Sequence, residues 1–255
     1  MSIAKKQPKK RSIEESLDTI YNGKIKIFQN KKGYRFSIDA VLLAEFVRKI
    51  KGDRLLDIGT GCGVVPLMIA YNNPLIKITG VEIQDSLYNL AQRNVAENEL
   101  TDRIKILQHD IRDVENIFHP GSFDIITANP PYIRHDSGRV NPEEEKAIAR
   151  HEITISLDSL IKTAKYLLTD TGKLVIIYPA QRAVDLFDSL RRENIEPKNI
   201  LMIHSKISAE AKLIIVKASK SAKRGGLSVL PPFVIYNDND DNTYTTEVER
   251  ILQGE

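Results

Sequence analysis

The sequence predicts an α/β fold: a mostly parallel sheet with helices on both faces and an antiparallel last strand. Three observations carry that expectation. From residue 54 onward, short apolar runs alternate with amphipathic stretches of helical length, the pattern of a sheet covered on both sides. The run "RLLDIGTGCG" (54–63) passes from strand to helix through three glycines. The apolar run "FDIITA" (123–128) is stopped by Asn129-Pro130-Pro131-Tyr132, because neither proline can donate a ladder hydrogen bond.

With 255 residues, 42% of them hydrophobic, the chain can bury an ordinary core. No apolar run approaches the ~20 residues a bilayer requires, and the start, "MSIAKKQPKKRS", is charged without the apolar segment of a secretory signal. A cytoplasmic protein with no membrane partner is therefore expected. Cys62 is the only cysteine, which excludes an internal disulfide. His109, His119, His135, His151 and His204 have neither paired spacing nor thiolate companions, so no metal site is expected. The net charge of +3 conceals an asymmetry: up to Phe36 there are ten basic residues against three acidic ones. Such an arm suggests a polyanionic partner, of which nucleic acid is the commonest in the cytoplasm, although solvated flexible tails are also often basic.

Residues 1–12 lack a hydrophobic period and read as a disordered basic tail until a partner orders them. Residues 13–52 read as a hairpin and helix extension. There, 24–29 alternates as a strand, "NKKG" (30–33) offers a turn and 34–36 returns. Ser37 is placed to cap a helix from Ile38, Asp39 suits its N-terminal dipole, and Ile38, Val41, Leu42 and Phe46 recur at helical spacing. Residues 53–255 form the main domain. It opens with strands at 54–58, 77–83, 103–108 and 123–128 and helices at 64–72 and 86–98, the second with Asp85 as cap. The long polar segment 133–152 that follows is expected to be a functional loop. Then come a helix at 156–168, a strand at 173–179, a helix at 181–193 and strands at 199–204 and 211–218. The short link between these last two predicts a hairpin, which makes the final strand antiparallel. The tail 230–252 adds one strand and a short helix.

The chemistry gathers at strand ends. Gly59, Gly61 and Gly63 let the backbone approach a ligand closely and expose a helix N-terminus, while an acid at a strand end can bind a cation or a hydroxyl. The spacing also fits a dinucleotide fingerprint, whose acid falls at the next strand end, here Glu82. Asp57, however, precedes the glycines as well. With Asp110 after the third strand, three acids fall along the C-terminal edge of one parallel sheet. Any one of them alone reads as a strand-end cap; the Asn-Pro-Pro-Tyr sequence beside them makes the set read as a site.

As a set, these residues resemble the cofactor site of Rossmann-like methyltransferases that use S-adenosylmethionine. The resemblance implies a mostly parallel seven-stranded sheet. It also implies that Asp57 and the loop Gly59, Thr60, Gly61 and Gly63 face the methionine moiety, that Glu82 takes the ribose hydroxyls, and that Asp110 and the Ile111 amide read the adenine. The same resemblance implies that Asn129 borders both cofactor and substrate. Asn129-Pro130-Pro131-Tyr132 resembles the motif of methyltransferases that modify an amino group conjugated to a planar system: adenine, cytosine or a glutamine amide. Such a nitrogen is a poor nucleophile because its lone pair is delocalised. The Asn129 side-chain oxygen and the Pro130 carbonyl can accept its two hydrogens, localise the lone pair and hold it in line with the methyl group. Tyr132 offers a stacking face, a contribution of about 1–3 kcal/mol in single-stranded recognition.

Segments outside both motifs narrow the resemblance. "GYRFSIDAVLLAEF" (33–46), "AIARHE" (147–152) and the tail from 230 are similar to bacterial tRNA (adenine-N6)-methyltransferases that modify adenine 37 of valine tRNA. A base in the anticodon loop can be splayed into a pocket without breaking a pair. In that setting Pro131, Tyr132, Arg150 and His151 are the expected substrate contacts, with Arg134 and Arg139 as further candidates in the loop. Two other readings stand beside this one: a glutamine N5-methyltransferase of release factors, which shares the tetrapeptide but carries a sizeable helical domain before the cofactor motif, and a non-catalytic RNA-binding protein that keeps the fold. DNA adenine methyltransferases usually need an additional target-recognition region, for which the chain has no room.

Overall fold

The structure, a computed structural model, describes residues 15–31, 35–130, 155–238 and 243–255. The tail 1–12, Tyr34 and the loop 133–152, together with Pro131 and Tyr132, lie outside the described residues, and so do Arg134, Arg139, Arg150 and His151.

Strands β1 (Glu15–Ile20) and β2 (Ile25–Asn30) form a separate antiparallel hairpin with Leu17 opposite Phe28. This corrects the expected pairing of 24–29 with 34–36: β2 pairs with the residues before it, and Arg35 and Phe36 belong to no strand. The turn is Tyr21-Asn22-Gly23-Lys24, where Tyr21, Asn22 and Gly23 all have positive φ. Asn-Gly is the stronger hairpin signal, because both residues tolerate the left-handed conformation that a tight turn demands.

After α1 (Ile38–Arg48) the chain alternates as β3 (Arg54–Ile58), α2 (Val64–Asn72), β4 (Lys77–Glu82), α3 (Asp85–Glu97), β5 (Ile104–Gln108), a short 3-10 turn (Ile111–Asn116) and β6 (Phe123–Ala128). It continues as α4 (Leu157–Leu167), β7 (Leu168–Pro179), α5 (Ala183–Arg192), β8 (Ile195–His204), β9 (Ala211–Lys220), β10 (Ser228–Val229), β11 (Phe233–Val234) and α6 (Thr246–Gln253). The sheet order is β10-β8-β9-β7-β6-β3-β4-β5, with β11 also on β8. Every neighbouring pair from β7 through β6, β3 and β4 to β5 is parallel. β9 inserts between β7 and β8, antiparallel to both. The expected antiparallel strand is thus present, and among the described residues seven long strands of this sheet are extended by two two-residue strands.

Several boundaries move. β8 starts at Ile195 rather than 199, although Pro197 argues against a central strand; the proline sits where the register against β9 shifts, an irregularity that tolerates a missing donor. β7 begins at Leu168 rather than 173, directly after α4. Asp85 is the first residue of α3, preceded by Gln84 at the cap position, so it complements the dipole instead of capping. Ser37 holds the cap position of α1, but its side chain makes no capping bond.

The core lies on both sides of the sheet. One side is covered by α1, α2, α3, α6 and the hairpin, the other by α4 and α5. In β6 the neighbours Ile125 and Ile126 point to opposite sides and are both completely buried, as expected of a central parallel strand. Burying each such side chain contributes roughly 1.5–3 kcal/mol. The parallel strands thereby hold their C-terminal ends, where the candidate acids sit, in one row.

Candidate active site

The glycine loop runs from β3 to α2 and lies over the end of β4. The Gly59 and Thr60 amides both donate to the Val81 carbonyl, at 2.9 and 3.1 Å. Gly59 has φ of 68° and open space where a Cβ would stand, whereas Gly63, at φ of 86°, has the Ala91 Cβ at 3.4 Å from that position. The first glycine therefore leaves room above the loop, and the last lets α2 and α3 pack closely.

Glu82 ends β4 with its side chain buried beneath this loop. Its Oε2 accepts the Gly61 amide at 3.0 Å, and its Oε1 accepts the amides of Ile83 and Gln84 at 3.0 and 2.9 Å. Three charge-assisted bonds make burial of this carboxylate tolerable and leave acceptor capacity toward the cavity.

Asp57, one residue before the end of β3, is 3% exposed. The Thr127 hydroxyl donates to its Oδ1 at 2.6 Å. Burial pushes the Asp57 carboxyl up to about 6; the bond from Thr127 and the nearby Thr60 hydroxyl oppose that rise, and the charge of Glu82 adds to it. Thr60 Oγ1 is buried without a hydrogen-bond partner among the described residues. Thr60 packs against Gly80, where a Cβ would come within 3.0 Å of its side chain.

Asp110 follows β5 and caps the 3-10 turn by accepting the Arg112 amide at 2.9 Å. The Arg112 guanidinium grips the same carboxylate through both Nε and Nη2, which holds the carboxyl below its usual range. Asn129 and Pro130 follow β6 directly, half-buried, so the end of that strand delivers them to the same edge.

A cavity of about 290 Å³ gathers these groups, lined by Gly59, Gly61, Glu82, Asp110, Ile111, Asn129 and Pro130. Asp57, Thr60 and Gly63 lie outside its lining, beneath and beside the loop. Other lining residues were not legible as site residues: Ser37 and Asp39 at the start of α1, Gln84 and Leu87 at the start of α3, His109, and Ile155 and Leu160 around the start of α4. Burial raises the Asp39 carboxyl, while a bond from Ser37 opposes the rise. Cys62 is buried, and burial pushes its thiol up to about 12, so it packs and does not react.

Among the described residues, no group of three or more His, Cys, Asp or Glu side chains is arranged to hold a metal ion, and no helix is long and apolar enough to cross a membrane. The residues present do fit an extended polar organic cofactor. Gly59 leaves space that a Cβ would fill, and two acids at successive strand ends face one cavity.

A parallel sheet with one inserted antiparallel strand, and a glycine loop beside an Asn-Pro strand end, define a Rossmann-like methyltransferase fold. A predicted O-methyltransferase from Agrobacterium tumefaciens, known from its crystal structure, superposes with a TM-score of 0.68 at 21% identity, over 85% of this chain and 96% of that one. The chain belongs to the methyltransferase small domain family, whose model matches residues 34–193. It is 35% identical to the tRNA1(Val) (adenine(37)-N6)-methyltransferase of Porphyromonas gingivalis over 158 residues, which span 60% of this chain and 61% of that protein. It is 29% identical to the enzyme of the same name from Histophilus somni over 232 residues, 89% of this chain and 92% of that protein.

Proposed function

We propose that this chain transfers a methyl group from S-adenosylmethionine to the exocyclic N6 amino group of an adenine in tRNA. The observation that carries the reading is that Asn129 and Pro130 open into the same cavity as Gly59, Gly61, Glu82 and Asp110. The names of the relatives support tRNA as substrate and adenine 37 of valine tRNA as the position, and the anticodon loop region is the proposed place of contact. The cytoplasm is the proposed compartment.

S-adenosylmethionine, when bound, supplies a methyl group on a positively charged sulfur, with no metal required. Glu82 would receive the ribose hydroxyls with its remaining acceptor capacity, Asp110 and the Ile111 amide the adenine, and Gly59 and Gly61 the methionine portion. Asp57 and Thr60 would act from beneath the loop, with Gly63 starting the helix. The substrate amino group would donate one hydrogen to the Asn129 side-chain oxygen and the other to the Pro130 carbonyl, turning its lone pair toward the methyl group. Once methylated, the nitrogen loses its extra proton readily to water, so the site needs no tuned general base. Pro131, Tyr132, Arg150 and His151 are the proposed substrate contacts, Tyr132 by stacking. Residues 53–255 are read as the methyltransferase domain, with 13–52 as its extension.

The test is transfer of labelled methyl from S-adenosylmethionine to three unmodified substrates (total tRNA, a release factor and duplex DNA), followed by digestion and mass identification. N6-methyladenosine in the tRNA alone is the expected product. Label in the release factor instead would contradict the proposal.

A further inference from the structure

The hairpin β1–β2 stands outside the main sheet, yet one side chain ties it to the glycine loop. Asn94, on the inward face of α3, has 0% exposure. Its amide oxygen accepts the Phe28 amide at 2.8 Å, and its amide nitrogen donates to the Phe28 carbonyl at 3.0 Å and to the Cys62 carbonyl at 2.9 Å. One turn later Asn98 repeats the first half of this pattern: it accepts the Lys26 amide at 2.9 Å and donates to the Lys26 carbonyl at 2.7 Å. The two asparagines thus pair with alternate residues of β2 much as a neighbouring strand would. Only Asn94 reaches on to the loop.

Asparagine is a mediocre helix former, and a fully buried amide is costly unless its bonding capacity is met. Asn94 meets it with three bonds to two separate pieces of backbone. The Cys62 carbonyl shares a planar peptide with the Gly63 amide, which itself donates to the Thr60 carbonyl at 2.9 Å. Fixing that carbonyl therefore fixes the orientation of the second half of the loop. The first half is held from β4, through Val81 and Glu82. The second half is held from α3, by the same amide that holds the hairpin.

We propose that Asn94 is a positioning residue for the cofactor loop: the bond from its amide nitrogen to the Cys62 carbonyl, rather than attachment of the hairpin as such, sets the loop's place over the cavity. This rests on the reading of the cavity as the S-adenosylmethionine site. Asn98 supplies the control, because it makes the same pair of bonds to the hairpin backbone in a more exposed setting and donates further only to the Asn94 carbonyl, not to the loop.

The experiment measures S-adenosylhomocysteine binding by calorimetry in the full chain, together with thermal unfolding and turnover. Asn94→Ala is expected to weaken binding about tenfold, the worth of one hydrogen bond, and to raise the cofactor KM without lowering kcat at saturation by more than about twofold. Asn98→Ala is expected to change the Kd by less than about twofold. Should Asn94→Ala not fold, amide hydrogen exchange on the unmodified protein decides. Added S-adenosylhomocysteine should slow exchange of the Phe28 amide, bonded to Asn94, more than that of the Lys26 amide, bonded to Asn98. Equal weakening by both substitutions, no weakening by Asn94→Ala, or equal protection of the two amides overturns the proposal. Failure of the unmodified protein to bind S-adenosylhomocysteine overturns the cofactor reading beneath it.

Discussion

The Gly61 amide donates to Glu82 Oε2 across 3.0 Å, so the acid that ends β4 closes the glycine loop before any ligand arrives. One carboxylate therefore has two tasks, shaping the loop and facing the cavity. Replacing it should cost both. Glu82→Ala is expected to weaken S-adenosylhomocysteine binding by roughly 10–100-fold, the range for loss of charged hydrogen bonds, and Glu82→Gln by less, since one oxygen remains to accept. Calorimetric titration of the two variants checks the order.

Asp57 gives the protein a pH dependence of definite sign. Its carboxyl is raised from 3.8 to about 6 by burial, so between these values the folded chain binds the proton that the unfolded chain has released. Stability should therefore fall as pH rises through this window, by about 3 kcal/mol in all, and level off above it. Asp57→Asn should remove that slope and raise the melting temperature at pH 7.5 while weakening the cofactor. Melting curves from pH 4 to 8 test the first part, and a rising slope over the same window would contradict it.

Thr127 is the main brake on this shift. Thr127→Val keeps the shape but removes the 2.6 Å bond to Asp57, so the Asp57 carboxyl should titrate at still higher pH. The stability slope should extend upward in pH, with a loss of about 1–3 kcal/mol at pH 7.5 from the unpaired acceptor. Thr127→Ser should restore the original profile.

Cys62 offers a check on packing beneath the loop. With the side chain buried and the thiol pushed up to about 12, the native protein should resist alkylation at pH 8, and the unfolded chain should label at its one cysteine. Mass spectrometry before and after denaturation measures this directly. Rapid labelling of the native protein would mean that the loop opens.

Periodicity and strand ends made most of the site legible. Asp57, Glu82 and Asp110 could be placed on one edge because each apolar run from β3 to β5 ends at or near an acid, and parallel strands align their ends. Asn129 could be placed because two prolines had to end β6. What stayed hidden depends on contacts between distant parts of the chain. Ser37 and Asp39 line the cavity from the start of α1, and Phe36 just before them donates its amide to the Gln29 side chain of the hairpin at 2.8 Å, a contact between segments that spacing does not show. The partner of β2 precedes it because Asn22-Gly23, both at positive φ, makes the tight turn, a stronger hairpin signal than "NKKG". Pro197 hid the first half of β8, since a register shift is invisible in sequence. Nothing in the spacing shows that Asn94 spans from hairpin to loop, because an asparagine in a helix reads as a surface residue.

In the proposed reaction Asn129, at the end of β6, accepts a hydrogen from the amino group being methylated. The most direct test compares single-turnover methyl transfer to unmodified tRNA by the native protein and by Asn129→Ala, with S-adenosylhomocysteine affinity measured on both. Asn129→Ala is expected to lose at least about 10²–10³-fold in rate, the cost of removing one preorganised transition-state partner, with cofactor affinity nearly unchanged. Equal rates in the two proteins would contradict it.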